Sequence, residues 1–426
     1  MDNKAMAVLI AGLAILGLPH AAAAAGARPQ TGPVAVTFGP DVQLSIDVPS
    51  QGKTADRVEP TIAVNPTDPR NLVVGYHLRD VRSPNDHGCH LVHTADAGVT
   101  WTASGPVPLA TSRDACVDSS LAADASGNFY YAFLDEQIDT AFGRGFIANI
   151  DLRVAKSTDG GRTFPTWSIA AAGDPNAFVF VDKPYMAVDA RPRSPFTGTI
   201  YLAYTLIDSD GFSIRVVASR DGGKTWSAPL DVVSNLPGPE FFYLTGPGPR
   251  GSAGPVDDIT ANSNPTAGIA PDGTIYVAWA DVSEGSCKDT GIFVLTCVNA
   301  DVRLSVSRDG GGSWTRPVKV SDETNATDQF MPWVAVHPSG LLSLIWEDKR
   351  LDPDNFNYDI FYTNTRDGVT FLPNVRVSSA TSQVTTEYNG GDYSNLAVTA
   401  DRIFPVWNDS RFVNVETFTA RGTLRP

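Results

Sequence analysis

The sequence predicts an all-β fold, a six-bladed β-propeller of four-stranded antiparallel blades, from three observations. Short β-branched and aromatic runs, separated by turn residues, recur six times with a period of about 60 residues. The last of the six units is too short to hold four strands. A motif of Ser or Thr, Asp, Gly, Thr or Ser and an aromatic residue occurs five times, at Thr94–Trp101, Ser157–Phe164, Ser219–Trp226, Ser307–Trp314 and, one residue shorter, Thr365–Phe371.

The Asp motif, as we call these five segments, is typical of a hairpin turn in which each position has a physical task. The Asp accepts hydrogen bonds from the backbone of its own turn, and the Gly adopts positive φ without steric cost. The aromatic residue fills the space beneath the turn. The motif therefore predicts a scaffold element between the third and fourth strands of a blade, with no chemistry of its own.

Each of the six units contains two apolar runs, which predict the first and second strands of a blade. The first runs are Thr61–Val64, Ser120–Ala123, Tyr185–Val188, Ala267–Ala270, Trp333–Val336 and Asn395–Val398. The second runs are Leu72–Tyr76, Phe129–Phe133, Ile200–Tyr204, Ile275–Trp279, Leu342–Trp346 and Ile403–Trp407. Turn residues such as Pro271–Gly273 join them.

The sixth unit ends soon after its third strand, near Val415–Thr419, and lacks an Asp motif. The segment Asp41–Ser45 resembles the outer strands Pro317–Ser321 and Asn374–Ser378. We therefore expect the N-terminal segment, around Val42–Ile46, to supply the missing outer strand. Such closure removes the unpaired sheet edges of an open ring.

Blade four, at about residues 236–326, is enlarged by two insertions. Leu236–Asp258 precedes its first strand and Val282–Ala300 follows its second strand. Long irregular segments in a compact fold tend to be functional or disordered. Because Cys287 and Cys297 would staple the second insertion, we expect function there. The whole of residues 26–426 is predicted to form one propeller domain.

Residues 1–25 are predicted to be a secretory signal peptide, with an apolar stretch from Ala5 to Leu18 and small residues from Ala21 to Ala25. The mature protein is then secreted or periplasmic. No apolar segment is long enough to span a bilayer. The net charge of −15 and a pI of about 4.7 argue against nucleic acid as a partner. We expect a monomer.

Four cysteines suit an oxidising compartment. Cys287 and Cys297 flank a short loop and are expected to pair, which leaves Cys89 to pair with Cys116; free buried thiols are the alternative. The six His residues are scattered singly and predict no zinc site. No cofactor is expected, although the many Asp residues would suit surface Ca²⁺ sites.

Alternate turns of a four-stranded meander lie on the same face, so the face opposite the Asp motifs carries the segments before the first strand and after the second. These segments are rich in charge, including Arg57 and Glu59, His77, Asp118, Asp182 and Lys183, Glu347 and Asp409. Polar residues at strand ends also serve turns, so each one alone has a structural interpretation. Together they predict a polar pocket suited to carboxylate chemistry.

A six-bladed propeller with these repeats resembles the sialidase (neuraminidase) superfamily, whose Asp-box repeats the five motifs match over essentially the mature chain. The resemblance implies three arginines that clamp a sugar carboxylate, a Tyr nucleophile activated by a Glu, and an Asp acid/base on a loop. Non-catalytic proteins with such boxes also exist in that superfamily. The resemblance thus specifies the fold more strongly than the activity.

Carried over residue by residue, the resemblance assigns Tyr393, in Tyr393–Leu396, as nucleophile and Glu284 as its activator. Asp80 or Asp86 would be the acid/base. The predicted substrate-binding arginines are Arg57, Arg79, Arg303, Arg350 and Arg411, and Asp118 of the charged face is added to them. The family's Phe-Arg-Ile-Pro segment is absent, and its nearest counterpart, Arg57–Pro60, carries an extra acid.

Some of these arginines belong to repeated elements. Arg303 has counterparts at Arg153 and Arg215, and Trp346–Arg350 resembles Trp407–Arg411, which suggests Asp–Arg pairs that join adjacent blades. Two hypotheses follow. The chain is a secreted sialidase-like exo-glycosidase that removes a terminal acidic sugar from a glycan, or a non-catalytic propeller that binds glycans or cell-surface partners. A different reaction on an acidic sugar is a third alternative.

Overall fold

The protein was analysed as a computed structural model that describes residues 32–46, 56–79, 88–110, 115–139, 146–191, 194–236, 241–245, 258–262, 265–282, 285–289, 294–383, 391, 393–412 and 414–425. The predicted signal peptide and the predicted acids Asp80, Asp86 and Glu284 lie outside these residues. Within them, no helix is long and apolar enough to cross a membrane.

The described chain is built from β-strands. The first fourteen are β1 Ala35–Gln43, β2 Asp56–Val64, β3 Leu72–Arg79, β4 Cys89–Thr94, β5 Thr102–Ala103, β6 Ala115–Ala123, β7 Phe129–Asp139, β8 Phe146–Ser157, β9 Thr166–Ala172, β10 Phe180–Val188, β11 Ile200–Asp208, β12 Gly211–Ser219, β13 Leu230–Leu236 and β14 Phe241–Thr245. The others are β15 Asp258–Asn262, β16 Thr266–Ile269, β17 Ile275–Asp281, β18 Ser286–Asp289, β19 Val294–Val298, β20 Asp301–Ser307, β21 Val318–Lys319, β22 Gln329–Val336, β23 Leu342–Asp348, β24 Asp359–Thr365, β25 Val375–Arg376, β26 Asn395–Val398, β27 Arg402–Asp409 and β28 Glu416–Arg425.

The strands form six four-stranded antiparallel blades, and the predicted six-bladed propeller fold is confirmed. The chain divides into two compact units. The N-terminal unit (Gln43–Gly238 with Asn414–Thr417) holds the blades β2–β5, β6–β9 and β10–β13. The C-terminal unit (Pro239–Val413 with Met1–Val42 and Phe418–Pro426) holds β16-β17-β20-β21, β22–β25 and β26-β27-β28-β1.

The N-terminal strand completes the last blade, as the sequence predicts, because β1 lies beside β28 in the order β1-β28-β27-β26. It begins earlier than expected, at Ala35 rather than near Val42. The added length carries Val36 into the core of the C-terminal unit and places the Phe38 ring edge-on to Tyr362, with ring centres 5.4 Å apart. Asn364 accepts from the Val34 amide at 2.7 Å and donates to its carbonyl at 2.7 Å.

The two insertions of blade four form a sheet that sequence reasoning did not foresee. Its order is β15-β14-β19-β18, with β14 parallel to β19 and the other pairs antiparallel. The two insertions are far apart in sequence, so no local hairpin pattern reveals their pairing. Cys287 and Cys297 lie directly opposite each other on β18 and β19, and their disulfide stays a prediction. The predicted Cys89–Cys116 disulfide is confirmed, with Cα atoms 5.2 Å apart.

The Asp motifs form the turns that the sequence predicts. In the second copy, Asp159 accepts hydrogen bonds from the Arg162 and Thr163 amides at 3.0 Å and from the Thr163 hydroxyl at 2.7 Å. Gly161 has a φ of 86°, and its amide donates to Ser157 at 3.0 Å. The aromatic Phe164 is fully buried. In this copy the motif satisfies its own backbone while its last residue joins the core, whereas the aromatic residues of the other four copies are partly buried.

Candidate functional site

The first strand of four blades carries a β-bulge at the same place, upstream of the predicted apolar run. The register shifts lie between Val58 and Thr61, Val117 and Ser120, Asp182 and Tyr185, and Phe330 and Trp333. Each bulge holds a non-glycine residue at positive φ: Glu59 (55°), Asp118 (46°), Lys183 (47°) and Met331 (49°). Such backbone is strained for these residues. Four blades share this bulge, so it is a feature of the repeat. The side chain at the bulge differs from blade to blade.

In the N-terminal unit, the three bulges bring charged side chains into contact. The Lys183 ammonium lies 2.9 Å from the Asp118 carboxylate, and Asp118 is also hydrogen-bonded to Glu59 and Asp182. His77 Nδ1 lies 3.8 Å from Glu59 Oε2. We call Glu59, His77, Asp118, Asp182 and Lys183 the bulge cluster. Glu59, His77 and Asp118 are buried, and Asp182 and Lys183 are partly exposed.

The carboxyl groups of the bulge cluster differ in their affinity for protons. Burial opposes ionisation of Asp118, but the Lys183 charge and the hydrogen bonds from Glu59 and Lys183 lower its pKa to about 2. Burial and then the Asp118 charge raise the pKa of Asp182 to about 7, against the attraction of Lys183. Asp118 is therefore a carboxylate near neutral pH, whereas Asp182 keeps its proton to a much higher pH than an ordinary aspartate does. Two neighbouring carboxyl groups with such different pKa values can act as a general acid and a general base.

Sequence reasoning placed Asp118 among the ligand-binding residues but did not foresee the cluster around it. The signal in the sequence is a proline directly after the bulged residue. It follows Glu59, Lys183 and Met331, in the blades that begin with β2, β10 and β22. A residue before proline is restricted in conformation. Proline alone does not predict that the bulged side chains of three blades meet.

In the C-terminal unit, the predicted nucleophile Tyr393 immediately precedes β26. Its carbonyl accepts from Asn408 at 3.2 Å, and its ring lies 6.1 Å from that of Trp333 at an interplanar angle of 38°. The next residue, Ser394, donates its hydroxyl to Glu347 Oε1 at 3.2 Å. Glu347 is 2% exposed, and burial raises its pKa to about 8. The carboxyl joined to the Tyr393 segment is thus Glu347, whereas the predicted activator Glu284 lies outside the described residues.

The predicted clamping arginines that the structure describes are held by carboxylates of their own unit. Arg57 lies 3.3 Å from Glu416, and Arg303 lies 3.2 Å from Asp301. Arg79 ends β3, and its side chain lies outside the described residues. The structure therefore gives Arg57 and Arg303 a stabilising contact, and their role toward a ligand stays a prediction.

Arg350 and Arg411 occupy equivalent places in a repeated Trp-x-Asp-x-Arg element. Trp346 donates to Asp348 at 2.7 Å, Arg350 pairs with the same Asp348 at 2.7 Å, and Arg350 stacks 4.2 Å from the centre of a Phe ring. Arg350 also contacts Asp322 at 2.6 Å. The second element repeats these contacts through Trp407, Asp409, Arg411 and Phe418.

The second element also holds the N-terminal strand, because Arg411 lies 2.7 Å from Asp41 of β1. Arg350 likewise reaches from β23 to the segment that follows β21 in the neighbouring blade. The Arg350 contact thus joins adjacent blades, as the sequence suggests, whereas the Arg411 contact with Asp41 lies within the last blade. Within the described residues, no group of three or more His, Cys, Asp or Glu side chains is arranged to hold a metal ion.

Solved structures match the chain at low identity. An α-L-arabinofuranosidase from Fusarium graminearum has a TM-score of 0.53 at 12% identity, over 91% of this chain and 98% of that protein. An α-L-arabinanase from Penicillium chrysogenum, complexed with arabinobiose, has a TM-score of 0.52 at 13% identity, over 90% and 98%. A Hadza microbial sialidase has a TM-score of 0.47 at 16% identity, over 86% and 65%.

No family model and no curated protein matches the sequence. The arabinofuranosidase and arabinanase matches cover 91% and 90% of this chain and show that it shares their fold. At identities of 12% and 13% they show the fold alone. Function must therefore be argued from the residues of this chain.

Proposed function

We propose that this protein is a secreted glycoside hydrolase in which Asp182 is the general acid. The observation that supports the proposal is the bulge cluster, where burial and then the charge of the neighbouring Asp118 carboxylate raise the pKa of Asp182 to about 7. Glycosidic oxygen is a poor leaving group, and a carboxylic acid with a raised pKa commonly protonates it. The arabinan-cleaving and sialidase propellers that the fold resembles also act on carbohydrates.

The neighbours of Asp182 have distinct tasks in this proposal. Lys183 forms an ion pair with Asp118 and stabilises its negative charge. That charge, after burial, raises the pKa of Asp182. Asp118 is a positioning residue, because it acts on the acid through its charge and hydrogen bond. Glu59 is hydrogen-bonded to Asp118, and His77 Nδ1 lies 3.8 Å from Glu59 Oε2.

The finer proposal is a sialidase-like enzyme that removes a terminal acidic sugar with Tyr393 as nucleophile. The contact that favours it is the short path from Tyr393 through Ser394 to the carboxyl of Glu347. The internal pairing of Arg57, Arg303, Arg350 and Arg411 leaves Arg79 as the predicted clamp whose partners the structure does not define.

Purified protein incubated with fluorogenic or chromogenic α-sialosides and α-L-arabinofuranosides tests both levels of the proposal. We expect turnover of at least one glycoside and a fall of about 100-fold or more for Asp182→Asn, the scale of general acid catalysis. Asp208→Asn, at the end of β11 in the same blade, is the control and should retain activity. If sialosides are not cleaved, the sialidase assignment is wrong. If no glycoside is cleaved but glycans bind, the protein is the non-catalytic alternative.

A further inference from the structure

The aromatic pair and the buried acid of the C-terminal unit lie where two blades meet. Trp333 follows the bulge of β22, and Tyr393 immediately precedes β26. Strands β22 and β26 each begin a blade, so both rings lie along the first strands of neighbouring blades. Both residues are partly exposed, with the rings 6.1 Å apart and tilted by 38°. Two partly exposed aromatic residues at this spacing form an apolar surface, which we call the aromatic platform.

Glu347 adds a polar group with one oxygen available. It is 2% exposed, yet among the described residues its single hydrogen-bond partner is Ser394, which donates to Oε1. The other oxygen, Oε2, is therefore available to a ligand or to solvent. Ser394 is itself 1% exposed and adjacent to Tyr393, so the carboxyl and the aromatic platform belong to the same short stretch of chain.

We propose that Trp333, Tyr393 and Glu347 form a binding subsite for one neutral sugar ring. The aromatic rings take the C–H face of the sugar, and Glu347 Oε2 forms a hydrogen bond with a sugar hydroxyl. An apolar platform with a few placed polar groups is the usual composition of a small-ligand site. In this subsite Tyr393 acts through its ring, whereas the nucleophile assignment requires its hydroxyl.

The choice of a neutral sugar rests on the charges around the platform. Glu347 is flanked by Asp409, whose charge helps to keep Glu347 protonated. The nearby cation Lys349 is fully buried and lies 3.0 Å from Asp328, so it is already paired. Arg411, in the same unit, is paired with Asp409 and Asp41. A carboxylate ligand would therefore meet acidic groups without an unpaired cation among these residues.

Isothermal titration calorimetry with arabinobiose, lactose and 3′-sialyllactose tests the subsite. We expect a neutral sugar to bind the wild type, with a loss of at least tenfold in affinity for Trp333→Ala and a smaller loss for Trp333→Phe. Tyr393→Phe should bind as the wild type does, because the ring is kept. Glu347→Leu fills the volume without hydrogen bonding and should weaken binding, whereas Glu347→Gln should largely retain it.

The subsite rests on the proposed function for its carbohydrate ligand but is independent of catalysis. Unchanged affinity in Trp333→Ala, checked as folded by its melting temperature, would overturn the subsite even if the enzyme cleaves glycosides. Binding of none of the sugars at millimolar concentration, or of the sialylated sugar alone, would also overturn it. Binding that needs Trp333, without turnover of any glycoside, supports the subsite and contradicts the hydrolase proposal.

Discussion

At the scale of single residues, Glu347 is a carboxyl group in a buried position that disfavours its ionised form. Its pKa is raised by burial from 4.5 to about 8. Between these values the folded protein binds a proton that the unfolded chain has released, so stability falls as pH rises. We expect this group to contribute a slope of about −1.4 kcal/mol for each pH unit in that window.

Glu347→Gln should remove this slope, so the variant should be more stable than the wild type at pH 8 and nearly equal at pH 4.5. Urea denaturation across the pH range measures the difference. Asp401→Asn, which alters a largely exposed carboxylate, is the matched control and should follow the wild type. Parallel curves for Glu347→Gln and the wild type would show that Glu347 is ionised in the folded state.

Asp182 provides a second prediction at the residue scale. An enzyme that needs protonated Asp182 loses activity as pH rises through about 7. Because the Asp118 charge helps to raise that pKa, Asp118→Asn should move the alkaline limb of the pH–rate profile to lower pH. An alkaline limb that stays at the same pH in Asp118→Asn would contradict the tuning of Asp182 by Asp118.

At the scale of elements, the Asp motif packs against the neighbouring blade as well as forming a turn. A Cβ on Gly161 would lie 2.1 Å from Val73 of β3, and Gly161 has positive φ. Gly161→Ala should therefore lose about 2–4 kcal/mol, from backbone strain and overpacking together. Urea denaturation monitored by circular dichroism gives the loss.

Gly310→Ala is the matched variant, because Gly310 also has positive φ but its Cβ would meet no atom within 4 Å. It should lose only the backbone part, about 1 kcal/mol. Equal losses for Gly161→Ala and Gly310→Ala would show that the contact with Val73 contributes nothing.

The elements that the sequence predicts best are those set by local patterns. The Asp motifs and the paired apolar runs follow from turn chemistry and side-chain alternation, which act within a few residues. The bulges and the sheet of blade four depend on contacts between distant segments. For the same reason the sequence identifies Asp118 and Tyr393 singly but does not foresee that Lys183 reaches Asp118 or that Ser394 reaches Glu347.

At the scale of the whole molecule, the arginine side chains discussed above mainly form ion pairs that stabilise the fold. Most arginines that the resemblance marks as ligand clamps are bound to carboxylates of their own unit, including Arg350 and Arg411 in equivalent elements. With a net charge of −15, the chain has more carboxylates than cations to pair them. In the bulge cluster, three carboxyl groups lie around the single ammonium group of Lys183, and such an excess of acid can raise the pKa of a proton donor.

The N-terminal strand is the whole-molecule test of the fold, because β1 is the outermost strand of a blade whose other strands come from the C-terminal end. Deletion of residues 30–48 removes β1, the Asp41 contact with Arg411 and the Asn364 hydrogen bonds to Val34. The exposed edge of β28 and the uncovered core should then prevent stable folding. Thermal melting by circular dichroism should show a large loss or no cooperative transition.

Two further variants make that deletion interpretable. Removal of residues 2–25, the predicted signal peptide, should leave the melting temperature unchanged. Asp41→Ala keeps the strand but removes its ion pair with Arg411 and its hydrogen bonds to the amide and hydroxyl of Ser379, and should cost about 1–3 kcal/mol. A deletion of residues 30–48 that melts like the wild type would mean that β1 is dispensable, and that the last blade is stable with the three strands β26, β27 and β28.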